Sequence, residues 1–526
     1  MVSKRCAAAF GIFLTLCANG SYGQVVFHRG NGTEPDTLDP HRASGTWENN
    51  IIGDLFVGLT TEDASASVIP GAAENWSISK DGLVYTFRLR DGHVWSDGVP
   101  VTAGDFVFAL RRILSPKTAA RYASLLYIIK NARHFNQGLA SADDLGVKAL
   151  DDRTLEIVLE NPAPFLPQLL THYTTFAIPE HVVRKKGNEW VRAGVMVSNG
   201  AYVLAEWKAN DYVRITKNPL FYDAENVAID EVYFYPIEDG NTALKQFRAS
   251  EIDLNVGFPT SQMDWLRDNM ANEARFSPTM AVTYIALNTR RFPFDDVRVR
   301  RALSMAIDRE TLAERVLRDG RLPAYAFVPP EVLNYPNRAR LDYASWSYQQ
   351  RLQEARRLLA EVGYGSEKPM TFEFSYRSAI DNRRVAVAVS GMLRQIGVEA
   401  QIQANEARIH YNMLETQDYT MGDAGWVADY NDAQNFLYLL QGNAGPMNYT
   451  GYNNPSYDRL MAVAGGTLDT VRRAQLMVEA EQIMLDESPL IPLFFGTTRM
   501  LVRSYVRGYE NNIVNVHRSR FMSLDR

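Results

Sequence analysis

The apolar residues of this chain follow two different periods. In residues 84–90 every second side chain is apolar, which predicts a strand with one buried face. In residues 349–362 apolar side chains recur every three or four positions and Gly363 follows, which predicts a helix that ends there. Because both patterns are distributed along the chain, the sequence predicts an α/β protein.

The order of these patterns changes along the chain. A β-rich region is followed by alternating helices and strands after residue 287, and no segment rich in proline, glycine or serine separates the two. A length of 526 residues indicates about three domains at roughly 150 residues each. Since no linker is evident, we expect these domains to be joined by strands that cross between them.

The first 23 residues have the pattern of a signal peptide. Lys4 and Arg5 precede an apolar run, residues 7–18, which is too short to span a bilayer. Small residues then predict cleavage after Gly23. The expected mature protein is exported and soluble, since no later stretch is long and apolar enough for a membrane span.

The two cysteines both lie in this predicted signal peptide. Cys17 raises the alternative of a lipoprotein, but Leu16 is too large for the position before a lipidated cysteine. With Cys6 and Cys17 removed, the mature protein would have no disulfide and no cysteine metal site. The formal net charge of −6 argues against a nucleic-acid partner.

One short stretch, residues 424–431, carries the best candidate for a binding site. Asp429 follows an apolar run between Trp426 and Tyr430, and no lysine or arginine lies within five residues of it. A poorly solvated carboxylate needs a cation, and a ligand ammonium is one candidate. The alternative is that Asp429 ends a strand and caps the next helix, at residues 432–440.

Signatures of catalysis are missing from the sequence. It contains no phosphate-binding glycine loop, no dinucleotide fingerprint and no Gly-x-Ser-x-Gly elbow. The 8 histidines show no paired metal spacing. We therefore expect no metal and no cofactor, although these absences leave open a hydrolase with dispersed catalytic residues.

Several runs of sequence together resemble a known family. They are Glu-Pro-Asp-Thr-Leu-Asp-Pro (34–40), Pro-Gly-Ala-Ala-Glu-Asn-Trp (70–76), Tyr-Thr-Phe-Arg-Leu-Arg (85–90), Trp-Ser-Asp-Gly (95–98), Pro-Val-Thr-Ala-Gly-Asp-Phe (100–106), Gly-Val-Lys-Ala-Leu-Asp-Asp (146–152), Asn-Gly-Ala-Tyr (199–202) and Phe-Asp-Asp-Val-Arg (294–298). Over essentially the whole mature chain, the sequence resembles solute-binding proteins of bacterial ABC importers of the peptide/nickel class, and most closely their periplasmic oligopeptide-binding branch.

This resemblance implies a fold of two lobes that close on a ligand, with an extra domain inserted near the N-terminus, three domains in all. The expected boundaries are lobe I from three segments (24–54, 180–280 and 497–526), the inserted α/β domain at 55–179, and lobe II at 281–496.

The resemblance also implies how a ligand is held. The family binds extended peptides between the lobes through backbone hydrogen bonds, and the aspartate of its Ala-Asp-Tyr-Asn motif takes the peptide α-ammonium. Asp429 matches that aspartate. The other residues expected at the ligand are Trp426 as a pocket wall, Tyr430, Gly425, Val427, Glu34, Tyr122 and Asp423.

At the far end of the ligand, this chain departs from the family pattern. Asp423, Ser304 and Asn382 stand where the oligopeptide branch has basic residues that face the peptide carboxylate. An acid at 423 would repel a carboxylate and favour longer peptides, amidated peptides or cargo with a second basic group. Alternatively, Asp423 pairs with a protein cation, for which the candidates are Arg383, Arg384 and Arg408.

Together these expectations describe a periplasmic, monomeric capture protein that binds peptides or peptide-like amines, delivers them to the permease of an ABC importer and is not an enzyme. A folding helper or a chemosensory receptor on the same scaffold is the alternative, and a peptidase-like enzyme is a third reading.

Overall fold

The computed structural model describes residues 23–43, 45–336 and 338–526, without the side chains of residues 407 and 408. The predicted signal peptide, apart from its last glycine, lies outside the described residues, as does the side chain of Arg408. Within the described ranges, no helix is long and apolar enough to cross a membrane.

Strands and helices are interspersed along the described chain, as the apolar pattern predicts. The strands are β1 (Val26–Gly30), β2 (Thr60–Glu62), β3 (Val68–Pro70), β4 (Ala73–Ile78), β5 (Val84–Leu89), β6 (Val147–Asp151), β7 (Thr154–Val158), β8 (Tyr202–Lys208), β9 (Tyr212–Lys217), β10 (Glu231–Tyr235), β11 (Leu254–Val256), β12 (Ala274–Leu287), β13 (Leu322–Pro323), β14 (Met370–Arg377), β15 (Val398–Asn405), β16 (Met421–Val427), β17 (Leu490–Val502), β18 (Val506–Arg507) and β19 (Ser523–Leu524). The α-helices are α1 (Thr46–Leu55), α2 (Ala103–Leu114), α3 (Ala132–Asn136), α4 (Leu166–Leu169), α5 (Glu180–Lys186), α6 (Gly240–Arg248), α7 (Met263–Asn269), α8 (Val297–Ala306), α9 (Tyr348–Glu361), α10 (Ile380–Arg394), α11 (Ala407–Glu415), α12 (Gln434–Leu437), α13 (Pro455–Gly465) and α14 (Thr470–Glu487).

The largest sheet runs through both lobes. Its strand order is β15-β14-β16-β12-β17-β11-β1-β10-β9-β8, and β13 pairs with β17 off this path. Strands β14, β15 and β16 form the lobe II half, where β14 pairs in parallel with both of its neighbours. Strands β1 and β8 to β11 form the lobe I half.

Two long antiparallel strands, β12 and β17, connect these halves. At one end β17 pairs with β11 in lobe I, and at the other end β12 pairs with β16 in lobe II. Their register shifts between Pro278 and Val282, midway between the lobes. The absence of a linker in the sequence is thus explained by strands that cross from one lobe to the other.

The sequence pattern was wrong about the lengths of these two strands. It predicts a strand only at 282–287 and two separate strands at 490–495 and 500–505, but β12 and β17 are continuous. The four residues 496–499 are only half-buried. A strand that passes between two cores loses its apolar alternation there, because neither core covers its side chains.

A separate four-stranded sheet, in the order β4-β5-β7-β6, lies within the inserted domain. The alternation in β5 is as predicted, since Tyr85, Phe87 and Leu89 are fully buried. Helix α2 begins at a capping box in which the backbone N–H of Thr102 donates to the carboxylate of Asp105 at 2.8 Å. This domain shares one hydrophobic core with lobe I, whereas lobe II has a core of its own.

Candidate functional site

Strand β16 positions the predicted binding residues. It pairs with β12, where Trp426 lies opposite Val282, and it ends at Val427. The N–H of Ala428 still donates to the carbonyl of Met280 at 2.8 Å. Asp429 is therefore held two residues beyond the end of a central strand, at the edge of lobe II.

A cavity of about 580 Å³ opens beside Asp429. One wall comes from lobe II and the other from the inserted domain, whose contributions include Tyr122 and Phe165. Four of the predicted ligand residues line this cavity together, namely Tyr122, Trp426, Asp429 and Tyr430. We call it the Asp429 cavity.

No cation within the described chain pairs with Asp429. Burial raises the pKa of its carboxyl to about 6, and no neighbouring charge offsets that rise. The capping alternative is wrong, because the backbone N–H of Gln434 donates to Asp432 and not to Asp429. Asp429 is therefore a partly buried acid that faces an open cavity and has no cation partner among the described residues.

A buried ion pair fixes the turn that follows Asp429. Arg473 of α14 donates to both oxygens of Asp432, at 2.6 and 2.8 Å, and both side chains are almost fully buried. Arg473 is thus engaged by Asp432. This pair could not be predicted from the sequence, because Arg473 lies far along the chain in another helix.

Aromatic rings frame the Asp429 cavity. The ring of Tyr430 stacks on that of Phe165 with centroids 4.7 Å apart and planes 5° from parallel. The indole N–H of Trp426 donates to Asn435 at 2.8 Å, and its ring meets Tyr438 edge to face at 5.9 Å. Tyr430 thus connects lobe II to the inserted domain, while Trp426 is anchored as a wall.

Tyr122 supplies a hydroxyl-bearing ring from the inserted domain. Its ring lies 5.0 Å from that of His172. Burial, together with the charge of Asp429, raises the pKa of Tyr122 above its ordinary value. The phenol therefore stays protonated at neutral pH and is able to donate a hydrogen bond in the cavity.

Four of the predicted residues do not line the Asp429 cavity, namely Glu34, Val427, Gly425 and Asp423. Glu34 lies in lobe I, where the indole N–H of Trp207 donates to it at 2.8 Å. The side chain of Val427 is 70% exposed at the end of β16. Phe165 and Tyr438, which do line the cavity, were missed, because only the fold brings Phe165 beside Tyr430.

A second, smaller cavity of about 130 Å³ lies further back along β16. Asp423, Gly425, Asn382 and Arg377 line it. A methyl group added to Gly425 would meet only the carbonyl oxygen of Val282, at 3.5 Å, so the space beside this glycine is open. We call it the Asp423 cavity.

The carboxylate of Asp423 is satisfied from within the protein. It accepts hydrogen bonds from the backbone N–H of Arg377 at 2.8 Å and from the side-chain amide of Asn382. The imidazole Nε2 of His410 lies 2.9 Å from the carboxylate and 2.7 Å from the backbone carbonyl oxygen of Asp423, with which it forms a hydrogen bond. The expectation of a protein partner thus finds His410 in place of the arginines proposed from the sequence. Of those, Arg384 pairs instead with Asp381, at 3.6 Å.

Ser304, where the family pattern has a basic residue, lies in the core of lobe II. It is fully buried, and its hydroxyl lies 2.5 Å from that of Tyr343. Ser304 lines neither of the two cavities described above. It therefore has no direct contact with the space available to a ligand.

Binding of an amine at Asp429 should weaken in acid. With a pKa of about 6, the Asp429 carboxyl is ionised in roughly nine-tenths of the protein molecules at pH 7 and in roughly one-tenth at pH 5. An α-ammonium stays charged over this range, so we expect its Kd to rise about tenfold from pH 7 to pH 5. Titration calorimetry measures this, with Asp429→Asn as a control whose profile should be flat. An equally flat wild-type profile would refute the assignment.

Comparisons with known proteins identify the family of this chain. The family model "Bacterial extracellular solute-binding proteins, family 5 Middle" matches residues 67–448. The chain belongs to family 5 of the bacterial extracellular solute-binding proteins. Among individual family 5 members, the periplasmic oligopeptide-binding protein OppA of Salmonella typhimurium is 36% identical over 488 residues, which is 91% of this chain and 89% of the relative.

Solved structures of family 5 members show the same fold. The murein tripeptide-binding protein MppA in its unliganded open form superposes with a TM-score of 0.89 at 33% identity, over 95% of this chain and 97% of that one. OppA of Haemophilus influenzae in complex with the peptide RPPGFSPFR superposes with a TM-score of 0.75 at 32% identity, over 96% of this chain and 99% of that one. The present structure is thus more similar to the open form than to the peptide complex.

Proposed function

We propose that this protein captures peptides for import by a bacterial ABC transporter and holds the free α-ammonium of the peptide on Asp429. The observation that carries this proposal is a desolvated carboxylate that lines an aromatic cavity and has no cation partner in the described chain. A buried charge of this kind gains most from an ammonium that arrives with the ligand. The names of the relatives, which include oligopeptide- and dipeptide-binding proteins, support the same cargo.

The proposed role is capture and delivery without catalysis. The family to which the chain belongs consists of solute-binding proteins, which supports this role. We infer a periplasmic monomer, released by cleavage after Gly23, that hands its cargo to a membrane permease. The periplasmic names of the relatives support the location.

The proposed division into domains assigns 24–54, 180–280 and 497–526 to lobe I, 55–179 to the inserted domain and 281–496 to lobe II. The crossing strands β12 and β17 support it, because the register shift between Pro278 and Val282 falls where the two lobes meet. A peptide that contacts both walls of the Asp429 cavity would draw lobe II towards the inserted domain. We propose that these strands bend at that point when cargo binds.

Small-angle scattering tests the proposed closure. A saturating peptide should lower the radius of gyration, because this structure is more similar to the open form of MppA than to the peptide complex of OppA. The same peptide with an acetylated amino terminus, which cannot present an ammonium, is the control and should leave the profile unchanged. If a peptide whose binding is verified by calorimetry leaves the scattering profile unchanged, the two-lobe proposal is contradicted.

A further inference from the structure

A guanidinium without a protein partner lines the Asp423 cavity. Arg377 is the last residue of β14, and its backbone N–H is engaged by Asp423. Its side chain forms no ion pair or side-chain hydrogen bond with any described residue, and it is half-buried. A partly desolvated arginine with free donors is suited to a carboxylate, which it can bind through two parallel hydrogen bonds.

The other charged groups around this cavity already have protein partners. Asp423 receives the donors described above, and Asp381 pairs with Arg384 at 3.6 Å. Arg321, on the opposite wall, uses its Nε to pair with Asp319 at 3.0 Å. The guanidinium of Arg321 also lies over the ring of Phe494, 4.9 Å from its centroid. Arg377 is the group whose charge is left for a ligand.

The Asp423 cavity lies along the same strand as the Asp429 cavity. Asp423 and Gly425 line the former, and Trp426 and Asp429 line the latter. Since a strand rises about 3.3 Å per residue, Asp423 and Asp429 are separated by at most ~20 Å of backbone. An extended peptide has the same rise, so a ligand of a few residues can reach from one cavity into the other.

We propose that Arg377 binds an anionic group of the cargo, most simply the terminal carboxylate of a short peptide whose ammonium lies on Asp429. This inference rests on the proposed function and adds a second anchor to it. The sequence indicates a preference for cargo with a second basic group, because Asp423 would attract it. The structure reverses this expectation, because Asp423 is already occupied by His410 and Asn382. The preferred cargo is then dipolar, with an ammonium at one end and a carboxylate at the other.

The test uses alanine peptides of three to six residues, each with a free amino terminus and each made as the acid and as the C-terminal amide. Titration calorimetry gives the ratio of the two affinities at every length. We expect the wild type to favour the acid by about tenfold or more at one length at least. In Arg377→Met this ratio should fall to within about twofold, and in Arg377→Lys it should be intermediate, since lysine keeps the charge without the paired donors.

Arg291→Met is the matched control. Arg291 is a lobe II arginine that pairs with Asp418 at the surface, and neither residue lines the cavity, so its loss should leave the acid-to-amide ratio unchanged. Melting temperatures confirm that the variants fold.

A wild type that binds acid and amide equally, or a ratio that survives Arg377→Met, overturns the inference while peptide capture stands. A wild type that binds none of these peptides overturns both, and a preference for amides that Asp423→Asn abolishes would assign the selectivity to Asp423.

Discussion

Replacing Asp429 by alanine should weaken the binding of a peptide with a free amino terminus by ~2–5 kcal/mol, roughly 30-fold to several thousand-fold in Kd. The reason is that the ammonium would enter the same desolvated cavity without a counter-charge. Asp432, the next acid along the chain, does not substitute for it, because both of its oxygens are already paired with Arg473. Titration calorimetry with a tripeptide measures the change.

Two controls make this result specific. The N-acetylated tripeptide should bind the wild type about as poorly as the free peptide binds Asp429→Ala, because either change removes one member of the same charge pair. Asp418→Ala removes an acid that is 75% exposed and pairs with Arg291 at the surface, so it should leave affinity unchanged. If both the acetyl group and Asp429→Ala cost less than twofold, the ammonium assignment is wrong.

Replacing Arg473 by methionine should lower the free energy of unfolding by ~3–5 kcal/mol. Methionine preserves much of the side-chain volume, but it leaves Asp432 as a buried charge without its partner. Only 2% of the Asp432 side chain is exposed, so water cannot replace the two hydrogen bonds from Arg473. Urea unfolding, followed by the fluorescence of the tryptophans, measures the loss.

The adjacent residue provides a matched control. Arg472 lies on the outer side of α14, 56% exposed, and its guanidinium pairs with Glu479 at 3.8 Å. Arg472→Met should therefore cost less than about 1 kcal/mol. Adding Asp432→Asn to Arg473→Met should restore part of the stability, because the unpaired charge is then absent. If Arg473→Met and Arg472→Met lowered the free energy of unfolding equally, the buried pair would have no special role in stability.

Local features of the site could be predicted from the sequence because they lie close together in the chain. Asp429, Trp426 and Tyr430 fall within one short stretch, and the absence of nearby cations can be counted directly. The structure places all three on one cavity. The resemblance to a family then brought in Tyr122, which no local pattern connects to Asp429.

Long-range pairings could not be predicted in this way. Phe165 reaches Tyr430 only because the inserted domain folds against lobe II. The sequence offers arginines as partners for Asp423, but His410 meets it because α11 packs against β14. A single histidine that pairs with a carboxylate has no spacing pattern by which the sequence could reveal it.

The central claim is that this protein carries peptides with free amino termini. Native mass spectrometry of the protein purified from its own host, without added ligand, tests it most directly. The account predicts one bound molecule per monomer that is released on unfolding and gives the fragment ions of peptides with unmodified amino termini. Cargo that proves to be non-peptidic, or peptides whose amino termini are uniformly blocked, would contradict it.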